Sequence, residues 1–112
     1  VQSYADGVFK ISGQQYEGAV FVAPDSTTPW KADSFENLSL ENFQPLIDKA
    51  DEIDVLLIGT GETFQFMDVS LKNQLSESGL PVDSMDTGAA CRTYNVLMAE
   101  GRRVVAALLP TN

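Results

Sequence analysis

The sequence predicts a single α/β domain, residues 1–112, with a mixed central β-sheet, an N-terminal β-hairpin and helices on the sheet faces. Two apolar runs, at 53–58 and 104–109, have the composition of strands that are buried on both faces. Helical patterns alternate with these runs, and this order builds parallel strands joined by right-handed crossovers. A chain of 112 residues can bury enough surface to fold as one domain without a disulfide or a metal.

The N-terminal hairpin, about residues 8–23, is predicted from two segments rich in β-branched and aromatic residues. Val8–Ile11 and Tyr16–Ala23 are its two strands, joined by a short loop that contains a glycine. Turn-forming residues fill the next stretch, 24–38, on both sides of Trp30. We predict a loop there that carries aromatic side chains, with room for one short strand near Trp30.

The β/α part, about residues 39–110, begins with a helix that Ser39 caps. Pro45 weakens this prediction, because proline inside a helix removes a hydrogen bond and clashes with the preceding turn. A start nearer Asn42 would place Pro45 in the first turn, where proline is tolerated.

Two more helices and one short strand complete the β/α part. The second helix begins at Asp68 or Ser70 and ends at Gly79, which is followed by a Leu-Pro stop. Val82–Met85 is predicted to be a strand, and Gly88–Glu100 the third helix.

Composition excludes several classes of site. The chain has 16 acidic residues, 7 basic residues, one cysteine and no histidine. Without histidine there is no Ser-His-Asp or Cys-His mechanism and no histidine metal ligand. One cysteine excludes an intrachain disulfide and a cysteine-ligated zinc or iron–sulfur site. We therefore expect no metal and no cofactor, and interpret the acidic residues at 48–54 as a solvated surface.

The net charge of −9 disfavours nucleic acid as a partner, because it repels the phosphate backbone. No apolar run approaches the roughly 20 residues that a membrane-spanning helix needs, so the chain is expected not to be transmembrane.

The first candidate site is Gly59-Thr60-Gly61, directly after the apolar run at 53–58. Glycines at the carboxyl end of a buried strand can turn sharply and present N–H groups to an anion. The dinucleotide-binding pattern is incomplete, because Phe64 stands where its third glycine belongs. We favour the other interpretation, a tight turn that folds Phe64 and Phe66 back over the sheet.

The second candidate is Asp86-Thr87-Gly88, where a strand runs into a helix that Asp86 or Thr87 caps. If this turn and the first one are neighbours at the carboxyl edge of the sheet, Thr60, Thr87 and Arg92 could line one small-ligand pocket. The third candidate is Cys91, in the first turn of the same helix beside Arg92. Such a position can lower a thiol pKa, but we favour a packing role for Cys91.

A set of apolar side chains in predicted loops could form an exposed patch for a protein partner. Its members are Trp30, Phe64, Phe66 and Met67. The alternative is that these four side chains only close the core.

The chain resembles the family that contains the mitochondrial NADH dehydrogenase (complex I) assembly factor 3 and small bacterial proteins of uncharacterised function. The resemblance covers nearly the whole chain and is carried by Ile58–Gly61 (IGTG), Met85–Arg103 (MDTGAACRTYNVLMAEGRR), Tyr4, Gly7 and Phe9, Tyr16-Glu17-Gly18, and Pro29-Trp30. It implies an α/β domain with a mixed sheet, and a mitochondrial member that works by binding proteins during complex I assembly. It supplies no catalytic residues.

The leading interpretation is a non-enzymatic protein-interaction or assembly module. The alternatives are a small-ligand or anion-binding protein and a thiol enzyme that uses Cys91. The expected location is the bacterial cytoplasm, or the mitochondrion if a leader was removed upstream of Val1. The edge of the hairpin offers a surface for a homodimer.

Overall fold

The computed structural model describes residues 3–5, 7–32 and 34–111. Within these ranges the first sheet has three antiparallel strands in the order β1-β2-β3. Their bounds are Ser3–Ala5 for β1, Val8–Ile11 for β2 and Gln14–Glu17 for β3. The prediction of one continuous second hairpin strand, Tyr16–Ala23, is wrong. Gly18 interrupts it with φ at +80°, and the chain then leaves for a second sheet.

The second sheet has five strands in the order β5-β4-β8-β6-β7. Its strands are β4 (Val20–Ala23), β5 (Ser26–Pro29), β6 (Val55–Gly59), β7 (Val82–Met85) and β8 (Val104–Leu108). Strand β6 is parallel to β7 and β8, whereas β4 is antiparallel to β5 and β8. The predicted mixed central sheet is therefore confirmed, and β5 is the short strand expected near Trp30.

The first predicted helix is a 3₁₀ segment, Leu40–Phe43, followed by one α-helical turn, α1, at Gln44–Ile47. Pro45 lies in the first turn of α1, where the missing N–H costs no helical hydrogen bond. The Ser39 N–H donates to Asn42 Oδ1 at 2.8 Å, so this residue starts the segment as predicted. Two other 3₁₀ segments cover Phe35–Asn37 and Ala50–Glu52.

The other two helices begin at aspartates. Asp68 accepts from the Leu71 N–H at the start of α2, Val69–Glu77, and Asp86 accepts from the Ala89 N–H at the start of α3, Thr87–Ala99. Gly79 follows α2 with φ at +90°, a conformation that glycine adopts without strain. With 13 residues, α3 is the longest helix in the described ranges, and none of these helices has the length and apolarity to cross a bilayer.

Two cores lie on opposite faces of the five-stranded sheet, because successive strand residues point to opposite sides. On one face, Leu56 and Ile58 of β6 pack with side chains from α1, α2 and the 3₁₀ segments. On the other, Leu57 packs with α3 and with Phe9 from the first sheet. This burial on both faces explains the uninterrupted apolar runs that predicted β6 and β8.

Candidate functional site

The two candidate turns meet at one edge of the sheet. Gly59, the last residue of β6, is level with Met85 of β7 on one side and Leu108 of β8 on the other. The Thr60 N–H donates to the Met85 carbonyl at 2.8 Å, which ties the first turn to the end of β7. The three parallel strands thus deliver both turns to the same rim, as the sequence order predicted.

The buried hydroxyl of Thr87 links the two turns and the end of β8. It accepts from the Gly61 N–H at 3.0 Å and donates to the Leu109 carbonyl at 2.6 Å. The Thr87 N–H also donates to the Gly61 carbonyl at 2.8 Å. Since buried polar groups without partners are costly, these bonds fix the position of the Gly61 turn.

The Thr60 hydroxyl organises the loop that follows. It donates to the Thr63 carbonyl at 2.7 Å and accepts from the Gln65 N–H at 3.2 Å. The Gln65 side-chain amide returns to the Thr60 carbonyl at 3.3 Å. The hydroxyls of Thr60 and Thr87 are therefore both used to hold the rim in shape.

The predicted anion pocket would have to compete with these bonds, because the N–H groups of Thr60, Gly61 and Thr87 already have acceptors. Asp86 is used to cap α3, and the adjoining Gly88 is buried. Arg92 is exposed on the outer side of α3, away from the buried Thr60 and Thr87. Ligand binding at this rim stays a prediction, and the geometry gives it no open polar cradle.

The thiol of Cys91 is buried in the core between α3 and the sheet. Desolvation raises its pKa to about 11, and the positive charge of Arg92 offsets only part of that effect. A reactive cysteine needs a lowered pKa and access to solvent. The packing role favoured for Cys91 agrees with its burial, and the thiol-enzyme alternative has no geometric support.

Trp30 is not part of an exposed patch, because only 4% of it is accessible. Its ring lies 5.2 Å from that of Phe21 and 5.4 Å from that of Phe43, and its Nε1 donates to the Asn42 carbonyl at 2.8 Å. Strand β5 ends one residue earlier and directs the tryptophan onto the sheet face. The expectation that Trp30 belongs to a partner surface is therefore wrong.

The aromatic residues that follow Gly61 are exposed. Phe64 is 46% and Phe66 86% accessible, and their rings pack edge to face with centroids 4.7 Å apart. Val69, in the first turn of α2, is 70% accessible, whereas Met67 is half-buried against the core. We call the exposed pair of Phe64 and Phe66 the aromatic knob. Sequence reasoning did not identify Val69 as an exposed apolar residue, although it does not lie on the face of α2 that buries Leu71 and Leu75.

A groove of about 320 Å³ lies beside Phe66. Phe35, Leu38, Met67 and Leu71 supply its apolar lining, and Glu36 and Asp68 contribute carboxylates. Sequence reasoning did not identify Glu36 and Asp68 as parts of a site, because nothing in the sequence links the segment at 35–38 to the start of α2. The knob and this groove form one surface that combines apolar area with negative charge.

Residues 1–109 match the family described as "Protein of unknown function (DUF498/DUF598)". An uncharacterised protein of Rhodobacter capsulatus is 34% identical over 98% of this chain and 83% of its own length. "NADH dehydrogenase [ubiquinone] 1 alpha subcomplex assembly factor 3" of Xenopus tropicalis is 29% identical over 98% of this chain. The chain spans only 60% of that relative's length.

Solved structures with the same fold cover almost the whole chain. A crystal structure described as an outer membrane protein from Bartonella henselae has a TM-score of 0.91 at 31% identity and covers 100% of this chain and 94% of its own. A solution structure of a Bordetella pertussis protein described as a Mth938-like domain has a TM-score of 0.85 at 31% identity, with coverages of 98% and 84%. The fold is therefore Mth938-like.

Proposed function

We propose that this chain, which belongs to the DUF498/DUF598 family of proteins of unknown function, is a non-enzymatic assembly module that binds a protein partner through the aromatic knob. The observation that carries this proposal is the exposed, edge-to-face pair of Phe64 and Phe66 on a loop held by partly buried hydrogen bonds. The relatives named as NADH dehydrogenase assembly factor 3 support a role of the same kind.

The knob has the properties of a binding hot spot. An accessible Phe66 ring that becomes buried in a partner gains about 1.5–3 kcal/mol from the hydrophobic effect. Such aromatic anchors dominate the energetics of protein interfaces. The Thr60 hydrogen bonds fix the loop before binding, so less conformational entropy is lost on association.

The surroundings of the knob define the partner's chemistry. Glu62 lies on the same loop, and Glu36 and Asp68 line the adjoining groove. A complementary surface would offer an apolar recess for Phe66 and a lysine or arginine for these carboxylates. A second copy of this chain fits less well, because each copy carries a net charge of −9 and the two acidic surfaces repel.

The test compares two variants for partner binding. The tagged chain is cross-linked in its own cells, the partner is identified and purified, and its affinity is measured for the wild type, for Phe64→Ser/Phe66→Ser and for Val96→Ser. Val96 is 58% accessible on α3 and serves as the matched control outside the knob. We expect the double variant to bind about thirtyfold more weakly, the loss typical of a hot spot, and Val96→Ser to bind normally.

Equal affinity of the double variant and the wild type would overturn the docking surface. Sedimentation of the chain alone adds a second check: a dimer that the double variant abolishes would make a second copy the occupant instead. Turnover of a small molecule by the purified chain would contradict the non-enzymatic role.

The proposal places the chain in the bacterial cytoplasm. The uncharacterised relative from Rhodobacter capsulatus supports a bacterial origin. Because one structural relative is described as an outer membrane protein, fractionation of cells that express the chain at its natural level is the relevant test. Recovery in the membrane fraction after a high-salt wash would contradict the cytoplasmic location.

A further inference from the structure

A cavity of about 610 Å³ lies at the end of the five-stranded sheet opposite the aromatic knob. It lies near the amino ends of β6 and β8, where Ile53 and Val105 line it together with Phe21 of β4 and Leu46 of α1. Each of these four core side chains keeps 6–7% of its surface accessible, whereas Leu56 and Ile58 in the same core keep none. The cavity therefore opens directly onto the hydrophobic core.

The mouth of this cavity carries charges of both signs, with three basic residues against the carboxylates of Asp25 and Glu52. Lys49, Arg102 and Arg103 line it and are exposed, and they are three of the seven basic residues in the sequence. Arg103 pairs with Asp54 at 2.9 Å. Among the described residues, Lys49 and Arg102 take part in no ion pair, so their charges are available to a ligand.

The polar residues that line the cavity, among them Ser26 and Thr28 of β5, are exposed, whereas its buried lining residues are all apolar: Phe21, Leu46, Ile53, Val104 and Val105. Every fully buried side-chain nitrogen and oxygen in the described part of the chain is hydrogen-bonded. A sugar or nucleotide buried there would lose its own hydrogen bonds to water without replacement. The inner end of a ligand must therefore be apolar, and its outer end must suit cations.

We propose that this cavity binds an unbranched alkyl carboxylate, with the chain against Phe21, Leu46, Ile53 and Val105 and the carboxylate held by Lys49 and Arg102. The volume lies within the range of about 300–1,000 Å³ usual for small-ligand sites. Asp25 and Glu52 also line the mouth, and they would repel a ligand with several negative charges. The site goes beyond the proposed protein docking, because it lies at the other end of the sheet and takes a different class of ligand.

The experiment measures binding of octanoate, decanoate and dodecanoate to the 112-residue chain below their micelle concentrations, by calorimetry and by amide chemical shifts. We expect one saturable site. The affinity should rise about fourfold for each methylene added to the ligand, as long as that methylene contacts apolar side chains of the cavity. Shifts should concentrate at Ile53 and Val105 and leave Phe64 and Phe66 unchanged. Dodecanol should bind at least tenfold more weakly than dodecanoate.

Two variants separate charge from space. Lys49→Gln/Arg102→Gln removes the two cations at the mouth that take part in no ion pair and should weaken dodecanoate binding about tenfold, which is within the range for two exposed ion pairs. Lys10→Gln/Lys72→Gln removes two exposed cations elsewhere and should have no effect. Ala23→Phe, at the end of β4, should fill the cavity and reduce binding further, with thermal unfolding as the check on folding.

Three results would overturn the proposal. They are the absence of saturable binding, equal binding of dodecanol and dodecanoate, and shifts that concentrate at the aromatic knob. The glutamine variants replace exposed side chains only, so the test remains decisive even if Ala23→Phe fails to fold. None of these results depends on protein docking at Phe64 and Phe66.

Discussion

A β-carbon placed on Gly59 would lie 2.8 Å from the hydroxyl oxygen of Thr87 and 3.0 Å from its Cα. The last residue of β6 therefore touches the first residue of α3 with no space for a side chain. This contact lets the Thr87 hydroxyl reach both the Gly61 N–H and the Leu109 carbonyl. Gly59, which the sequence offered as part of a candidate anion-binding turn, has a packing role.

Gly59→Ala is expected to destabilise the fold by about 2–3 kcal/mol, because the added methyl group must displace helix backbone as well as the hydroxyl. Urea unfolding measures the change in free energy. Gly101→Ala is the control, since it has open space around it but φ at +80° and should cost only about 1 kcal/mol of backbone strain. Equal costs at the two positions would show that crowding at Gly59 is absorbed without penalty.

Thr87→Val is expected to cost about 3 kcal/mol or more, because it keeps the shape but leaves the Gly61 N–H and the Leu109 carbonyl without their partner. Thr87→Ser keeps the hydroxyl and should cost about 1 kcal/mol for the lost methyl group. Hydrogen exchange at the Gly61 amide should be faster in the valine variant and unchanged in the serine variant. Equal stability of the two variants would mean that the hydroxyl does not hold the rim.

The sequence predicted the parts of the fold that depend on local pattern. The apolar runs of β6 and β8, the aspartate caps of α2 and α3 and the glycine after α2 each carry their signal within a few residues. The predicted strand at 16–23 was wrong because β-propensity is the same on both sides of Gly18. Only the pairing of the two halves with different sheets separates them.

The candidate site was predicted less well, because exposure depends on contacts between distant segments. Trp30 and Phe66 both follow turn-rich sequence, yet one is packed between Phe21 and Phe43 and the other projects into solvent. Strand β5 positions Trp30, and the Thr60 hydrogen bonds hold the loop that carries Phe66. Neither feature has a strong signal in the sequence. The predicted parallel strands correctly placed the two turns side by side. The sequence did not indicate that the polar groups of these turns form hydrogen bonds with each other.

Cys91 is expected to resist alkylation in the folded protein. With its pKa raised from 9.0 to about 11 by desolvation, the thiolate fraction near pH 8 falls about a hundredfold, and burial restricts access further. The rate of reaction with iodoacetamide, with and without urea, measures this difference. Equal alkylation rates in folded and unfolded protein would restore the reactive-thiol hypothesis.

The raised pKa of Cys91 also predicts how stability depends on pH. The contribution of this thiol to the free energy of unfolding is complete below pH 9 and declines as the pH rises towards 11, because the thiol of the unfolded chain ionises first.

Asp54 is expected to titrate below its ordinary value of 3.8, because the Arg103 guanidinium and backbone N–H both donate to its carboxylate and lower its pKa. The unfolded carboxylate takes up its proton at a higher pH than the folded one. The stabilisation from this pair is therefore present above pH 3.8 and is lost as the pH falls below it.

Carboxyl chemical shifts of Asp54, followed between pH 6 and 2 in the wild type and in Arg103→Gln, measure the pKa directly. The variant should move the pKa only part of the way back towards 3.8, because the side-chain hydrogen bond, which is the largest cause, is lost, whereas the backbone donor, which is the second largest, remains. The Arg103 side chain is 60% and the Asp54 side chain 35% accessible, so added salt should weaken the shift in the wild type. An Asp54 pKa that is unaffected by Arg103→Gln would show that the ion pair joining the start of β6 to the start of β8 does not persist in solution.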